Sequence, residues 1–382
     1  MSVAPSGSRW AWAEVDLDAI AHNIGVVRAA VAPADVWAVV KADAYGHGVV
    51  PVALAALGAG ASGLCVALVQ EAAELRAAGI DAPILVLSEQ PVEQAEAAVR
   101  LGVISTVYST AQLDALEAAG AAGHAVHLKV DTGMHRVGCA PEHAVALATD
   151  VIGRPSLRLD GVFTHLAVAD EPADPYTARQ LDLFDAVLAA LAAAGIEPPR
   201  VHAANSAGGL AHPRARRQLV RAGIAAYGIQ PGRGVEHLCH DLRPALSLRA
   251  RVSYVKPVRA GERISYGLRH AFATDTVVAT VPLGYADGVP RRLFETHGEV
   301  LVHGHRCPIV GVVTMDQLMV DVGAVVRGGA DVAVGDVVTL LGRDGHEQVR
   351  AEDWAERLGT IGYEIVCGLT ARVARHHVRA AP

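Results

Sequence analysis

Eight short β-rich runs, separated by alanine-rich stretches of helical period, constrain this chain more than any other feature. They are "VWAVVK" (36–41), "SGLCVA" (62–67), "PILVL" (83–87), "VISTV" (103–107), "AVHLKV" (125–130), "RLDGVF" (158–163), "RVHA" (200–203) and "LVRAGI" (219–224). Strand–helix alternation of this kind builds a parallel sheet, because a right-handed crossover needs a helix-length connection. Helical patterns such as "VEQAEAAVRLG" and "YTARQLDLFDAVLAALAAAG" lie between the runs, the second stopping at Gly195. Eight such units in this span fit a closed (β/α)8 barrel better than an open doubly wound sheet. The weakest element is the short helix after the seventh strand.

Beyond about residue 240 the helical period fades. Strand signals take over in "LSLRARVSYVKPV", "TVVATVPLGYADG", "EVLVHG", "CPIVGVV", "LMVDV", "DVVTLLG" and "ARVARHHV", punctuated by Gly and Asp. The expected organisation is a TIM-like barrel over 17–240 followed by a mostly β domain over 241–382. The alternating segment 9–16, within "RWAWAEVDL", is able to pair with either.

The chain's 382 residues suffice for two cores, with 52% hydrophobic residues. No apolar run reaches the length of a membrane span, and the first residues lack a charged-then-apolar export signal, so a cytoplasmic protein without a membrane partner is expected. A net charge of −7 with dispersed basic residues gives no footprint for nucleic acid. The five cysteines (Cys65, Cys139, Cys239, Cys307, Cys367) form no C-x-x-C pair, which argues against a disulfide framework or structural zinc. "HLCHD" at 237–241 reads as a polar loop, and no metal is expected. Gly58, Gly60 and Gly63 spell G-x-G-x-x-G, but before a strand, the wrong order for a dinucleotide site.

In a barrel of this type chemistry sits at the C-terminal strand ends. The first strand runs out at Lys41, the fifth carries Lys129 and leads to Arg136, and the sixth ends at His165. The seventh leads to Asn205 and Ser206, and the eighth carries Arg221 before Gly223 and Ile224. Alone, each has an ordinary explanation: a strand-end lysine snorkels to water, and "ANSAGG" is a turn. Their joint placement at one rim points elsewhere. Barrels often bind phosphate after strands seven and eight, and a phosphate site facing a strand-end lysine suggests pyridoxal 5'-phosphate held as a Schiff base.

The motifs "VVKADAYGHG", "HLKVDTGMHRVG", "FTHLAVAD", "HAANSAG", "VRAGIAAYGIQPG", "ISYGLRHAF", "VPLGYADG", "VTMDQLMVD" and "TIGYEIVC", in this order over nearly the whole chain, resemble alanine racemase. The resemblance implies a pyridoxal-phosphate isomerase interconverting L- and D-alanine, supplying D-alanine for peptidoglycan. It implies Lys41 as the cofactor-binding lysine and one catalytic base, and Tyr266, reaching across from the partner subunit of a homodimer, as the other. Tyr45, Ser206, Gly223, Ile224 and Tyr363 match phosphate-binding positions, with Asn205 beside them. His165 matches a histidine near the cofactor ring, and Arg221 the arginine facing its nitrogen. Arg136 and Met315 match the receivers of the substrate carboxylate. Lys129 matches a position often carbamylated, and Tyr285 and Asp316 match entry and supporting positions. His135, Val312 and Thr314 depart from the usual residues.

Inverting an α-carbon requires proton removal on one face and delivery on the other, hence two bases. A free phenol with a pKa of about 10 is a poor base at neutral pH, and His165 and Arg136 are the candidates to favour its ionised form. Three alternatives share the resemblance in part: a racemase of serine, lysine or broad range; a fold-related decarboxylase, expected to carry an acidic partner for the ring nitrogen; and a non-enzymatic pyridoxal-phosphate-binding protein, which would lack the β domain.

Overall fold

The structure is a computed structural model, and it describes residues 9–120 and 122–379. The chain divides into two compact units. One is Ala19–Arg243; the other joins residues 9–18 to residues 244–379.

After the first strand, β1 (Ala11–Asp16), come the eight strands of the first unit: β2 (Asp35–Val39), β3 (Gly63–Val66), β4 (Ile84–Val86), β5 (Ile104–Val107), β6 (His124–Lys129), β7 (Leu157–Phe163), β8 (Arg200–His202) and β9 (Leu219–Ala222). They pair in parallel in the order β8-β7-β6-β5-β4-β3-β2-β9. The two ends of that order meet through backbone bonds, Gln218 N–H to the Val201 carbonyl (3.2 Å) and Arg221 N–H to the Ala204 carbonyl (3.1 Å). A strand covered on both faces must be apolar throughout, which is why Leu64, Cys65, Ile84, Leu85, Val86 and Val107 are all fully buried. The helix Tyr176–Ala193 follows β7, and Gly195, with φ +73°, allows the left-handed exit that ends it. The helix after β8 is short, Ser206–Ala211, as its weak pattern implies.

In the second unit, β1 lies in a sheet between Leu246–Arg251, to which it is antiparallel, and Ala374–Val378, to which it is parallel. That decides the ambiguous N-terminal segment in favour of the β unit. A three-stranded sheet, Tyr254–Val258, Thr276–Val281 and Leu318–Asp321, packs Val258 and Val278 with Ile264, Phe272 and Val310. "CPIVGVV" is not a strand throughout. The strand His305–Pro308 stops early, and Gly311 takes φ +72° where a Cβ would meet Ser265 Cβ at 2.7 Å.

The Gly58–Gly63 motif has a packing explanation. A Cβ on Gly63 would sit 2.6 Å from the Trp37 ring. Among the described residues no two cysteines form a disulfide, no group of three His, Cys, Asp or Glu could hold a metal ion, and no helix is long and apolar enough to cross a membrane.

Candidate active site

Strand β2 ends at Val39, two residues short of Lys41, so Lys41 is not a strand residue. It begins a turn in which Ala42, Asp43, Ala44 and Tyr45 all have φ between 52° and 55°. Four consecutive L-residues in the left-handed region cost about 1–2 kcal/mol each, because Cβ crowds the following carbonyl. The cost is borne by a dedicated frame. Glu71, in the first turn of the helix Val69–Ala77, accepts the Ala42 N–H at 2.6 Å and the Ala67 and Leu68 N–H groups at 2.8 and 3.1 Å. Asp43 accepts the Val49 N–H at 2.8 Å. The turn reverses the chain directly after Lys41 and carries Tyr45 back into the barrel.

Tyr45 is buried, its ring 4.8 Å from that of Tyr227, whose hydroxyl donates to the Val39 carbonyl at 2.8 Å. A Cβ built on Gly223 would lie 2.9 Å from Tyr45 Oη and 3.7 Å from Ser206 Oγ, so glycine keeps a small polar recess open. Ser206 Oγ accepts the Gly223 and Ala225 N–H groups at 2.9 and 3.3 Å. Ile224 is buried at the start of the 3-10 turn Ile224–Tyr227. Asn205 caps the helix Ser206–Ala211, its Oδ1 accepting the Gly208 N–H at 2.8 Å. Hydroxyls, N–H groups and a residue without a side chain are the materials of a phosphate cradle.

Arg221 is buried, and among the described residues no carboxylate pairs with it. Its Nη1 lies 2.6 Å from His202 Nδ1, and its Nη2 donates to the Thr164 and Ala203 carbonyls (3.0 Å each) and to His165 Nδ1 (3.1 Å). Burial pushes its pKa down to about 10, leaving it charged at neutral pH. His165 lies two residues beyond the end of β7. Burial and then the Arg221 charge hold its pKa well below the usual histidine value, so it is a neutral ring whose Nδ1 accepts from arginine and whose Nε2 carries the proton. It is a hydrogen-bonding neighbour and not a cationic one. Lys129 ends β6, buried, with Nζ 5.4 Å from the Phe163 ring centroid; burial, then the charges of Arg221 and Arg136, push it down to about 7. The charge of Lys41 is felt by Lys129 and His165, and that of Arg136 by both as well. Arg136 itself is exposed. A cluster of cations with so little carboxylate suits an anionic occupant, and pyridoxal phosphate fits it: an amine for the aldehyde, an open cradle for phosphate, a guanidinium for the ring.

His135 has φ +54° and an exposed side chain. Tyr266, Tyr285, Met315, Asp316 and Tyr363 belong to the other unit. Tyr266 is 73% exposed, on a turn bent by Ser265 (φ +64°) and Gly267 (φ +73°) and tied to the Val312 carbonyl by Ser265 Oγ at 2.7 Å. Tyr285 N–H donates to the Thr314 carbonyl and Ala286 N–H to that of Met315, both at 3.0 Å. Asp287, fully buried, holds this loop: it accepts from Arg9 at 2.5 and 2.7 Å and from Gly284 N–H at 2.9 Å, and it pairs with Arg372, which also reaches Asp316 at 2.7 Å. Burial raises the Asp287 pKa, but the Arg9 and Gly284 hydrogen bonds and the two arginine charges together pull it below the ordinary value.

Residues 15–231 match the family model of the alanine racemase N-terminal domain, and 245–377 that of the C-terminal domain. The chain belongs to the alanine racemase family. It is 47% identical to the alanine racemase of Symbiobacterium thermophilum over 97% of this chain and 98% of the relative, and 43% identical to that of Thermobifida fusca over 98% and 99%. Among solved alanine racemases, that of Streptomyces lavendulae, a D-cycloserine producer, superposes with a TM-score of 0.90 at 39% identity, covering 98% of each chain. That of Bacillus anthracis with bound L-Ala-P gives 0.90 at 40%, covering 99% and 97%. The family's barrel and β domain are both present here.

Glu71, Tyr227, His202, His127 and Asp160 escape a reading of strand ends. His127 leaves one trace: two residues before Lys129 on the same strand, it shares its face.

Proposed function

We propose that this isomerase is an alanine racemase in the strict sense, converting L-alanine and D-alanine with pyridoxal 5'-phosphate and supplying D-alanine for peptidoglycan. The observation that carries this is Arg221: a buried guanidinium, with no carboxylate, at the barrel end that also holds Lys41 and the Gly223 recess. A decarboxylase-like site would be expected to show an acidic group there.

Lys41 would hold the cofactor covalently through Nζ. Tyr45, Ser206, Gly223, Ile224 and Tyr363 would hold its phosphate, with Asn205 fixing the helix end, and Arg221 and His165 would face its ring. When bound, the cofactor supplies an electron sink that makes the substrate's α-proton acidic. Arg221, which keeps its proton, would donate a hydrogen bond to the ring without transferring that proton to it, which would disfavour side reactions. Arg136 and the Met315 backbone receive the substrate carboxylate. Lys41 Nζ, freed as an amine when the substrate's amino group takes its place, would move the α-proton on one face, and Tyr266 Oη of the partner subunit would move it on the other. His165, whose Nε2 carries a proton, is suited to donate to that phenolate.

Lys129 near neutrality is partly unprotonated and open to carbon dioxide; the resulting carbamate would place an anion beside Arg136, with Tyr285 and Asp316 shaping entry and support. The high exposure of Tyr266, Leu268, Met315 and Ile361 on the β unit favours a homodimer covering them.

Chiral analysis after incubation with pure L-alanine, with and without added cofactor, tests the activity. Lys41→Ala removes cofactor absorbance and turnover, whereas Tyr266→Phe keeps the cofactor but slows turnover from L-alanine. A fully active Tyr266→Phe protein defeats the two-face assignment. Mixed Lys41→Ala and Tyr266→Phe chains recover activity if sites are shared.

A further inference from the structure

Inside the first unit, four buried groups join end to end. Arg221 Nη1 lies 2.6 Å from His202 Nδ1, His202 Nε2 lies 2.9 Å from His127 Nδ1, and His127 Nε2 lies 3.4 Å from Asp160 Oδ2. His127 and His202 are fully buried and Asp160 is 6% exposed. Asp160 also takes Arg200 Nη1 at 2.5 Å and Arg158 Nη2 at 3.4 Å, so the chain ends in an ion cluster.

The backbone is shaped around this line. Register between β6 and β7 slips at Val126/His127: Val126 faces Leu159 and His127 faces Gly161, leaving Asp160 as the inserted residue of a bulge. Bulges re-aim side chains. A Cβ on the next residue, Gly161, would lie 2.8 Å from His127 Cδ2 and Nε2, so glycine makes room for the ring. Phe163 stacks on His202 at 4.6 Å and 9°, holding its plane. None of this serves apolar packing, which Leu or Val would do without a bulge.

Hydrogen-bond polarity then follows from the two ends. An arginine only donates and a carboxylate only accepts. A neutral imidazole has one donor and one acceptor nitrogen, and burial keeps both rings neutral by holding their pKa values below the ordinary one. Asp160 therefore demands the proton on His127 Nε2, which makes His127 Nδ1 an acceptor. That demands the proton on His202 Nε2, which leaves His202 Nδ1 free to accept from Arg221. The opposite tautomer at either ring would set donor against donor.

We propose that Asp160, through His127 and His202, is a positioning residue for Arg221: with Arg221 at the other end it sets the tautomer of both histidines, and by accepting from His127 it anchors the line against which the guanidinium is oriented. The effect on catalysis rests on the reading of Arg221 as the group facing the cofactor ring; the tautomer assignment does not.

The test uses the full-length holoenzyme labelled with 15N-histidine. The expected spectrum, assigned with His127→Gln and His202→Gln, shows the proton on Nε2 of both His127 and His202; an Nδ1–H at either overturns the proposal. Asp160→Ala strips the acceptor from His127 Nε2–H while Arg221 still holds His202 in its Nε2 form, so the His127 Nε2–H signal should shift to that of an unpaired proton, and kcat should fall by about 10- to 100-fold, as for loss of an orienting outer partner, with KM little changed. Asp160→Asn, whose carbonyl still accepts from His127, should restore the hydrogen-bonded His127 Nε2–H and most of kcat. An unchanged His127 Nε2–H signal, or an unchanged kcat, in Asp160→Ala overturns the positioning role. Should Asp160→Ala fail to fold, the wild-type spectrum together with Asp160→Asn decides: that variant keeps a hydrogen-bonded His127 Nε2–H and most of kcat if the proposal holds, and shows an unpaired His127 Nε2–H with wild-type kcat if it does not. If the tautomers behave as stated but Arg221→Lys turns over like wild type, the tautomer relay stands and the role given to Arg221 falls.

Discussion

Removing the Glu71 carboxylate should release the left-handed turn behind Lys41. Four residues at about 1–2 kcal/mol each store about 4–8 kcal/mol in that turn. Against it stands the Ala42 N–H bond to Glu71, with the Ala67 and Leu68 N–H bonds that hold the carboxylate in place; as bonds to a charged group they are worth about 1.5–3 kcal/mol apiece. Two of those donors, on Ala42 and Leu68, lie at the surface, where water replaces the lost acceptor. The net loss in Glu71→Ala is then about 2–4 kcal/mol, comparable to half of the stored strain. Ala42 and Asp43 should therefore relax toward right-handed or extended backbone, and Lys41 should lose its position. A displacement of about 1 Å near reacting atoms costs about 10²-fold in rate, so kcat should fall by that order. Global stability should change less, because released strain offsets lost bonds. Alanine racemisation, thermal unfolding and amide exchange over 41–48 give the readout. Adding Ala42→Gly, which tolerates positive φ, should recover part of the rate. Turnover of Glu71→Ala within threefold of wild type would refute the reasoning.

Gly223→Ala should weaken pyridoxal-phosphate binding to the apoprotein by about tenfold or more, the loss of one charged hydrogen bond, because the new methyl meets Tyr45 Oη at 2.9 Å; unchanged affinity in an absorbance titration would show that the recess is not the phosphate site. His124, buried and 2.9 Å from Ser105 Oγ, has its pKa pushed down to about 4 by burial and then by the Arg158 charge. Its unfolded value is about 6.5, so stability is full above that pH and declines as pH falls toward 4, by about 3 kcal/mol in all. His124→Gln should flatten that slope in denaturant titrations, and an identical slope counts against the assignment. Asp287→Ala leaves Arg9 and Arg372 without their shared anion and should cost about 3 kcal/mol, the lower end for a broken buried pair because both arginines reach water. A loss under 1 kcal/mol in urea unfolding would mean that the 284–288 loop is held by other means.

The alternation of β-rich and alanine-rich segments determined the barrel, since parallel strands need both crossover helices and fully apolar faces, and both needs are written locally. The strand-end polar groups Lys129, Ser206 and Arg221 were legible for the same reason: a period of two and a break to small residues mark where a strand stops. The β unit's membership of 9–16 was not legible, because an alternating strand carries no label for its partner. Tertiary structure alone decided the left-handed turn, where Ala42–Tyr45 have no intrinsic preference for positive φ and take it in a frame that includes Glu71, distant in sequence, on the Ala42 N–H, and Asp43 on the Val49 N–H. It alone decided the state of His165, neutral by burial beside Arg221. It alone brought Asp160, His127, His202 and Arg221 into one line, four residues on four strands whose hydrogen bonds exist only when the barrel closes.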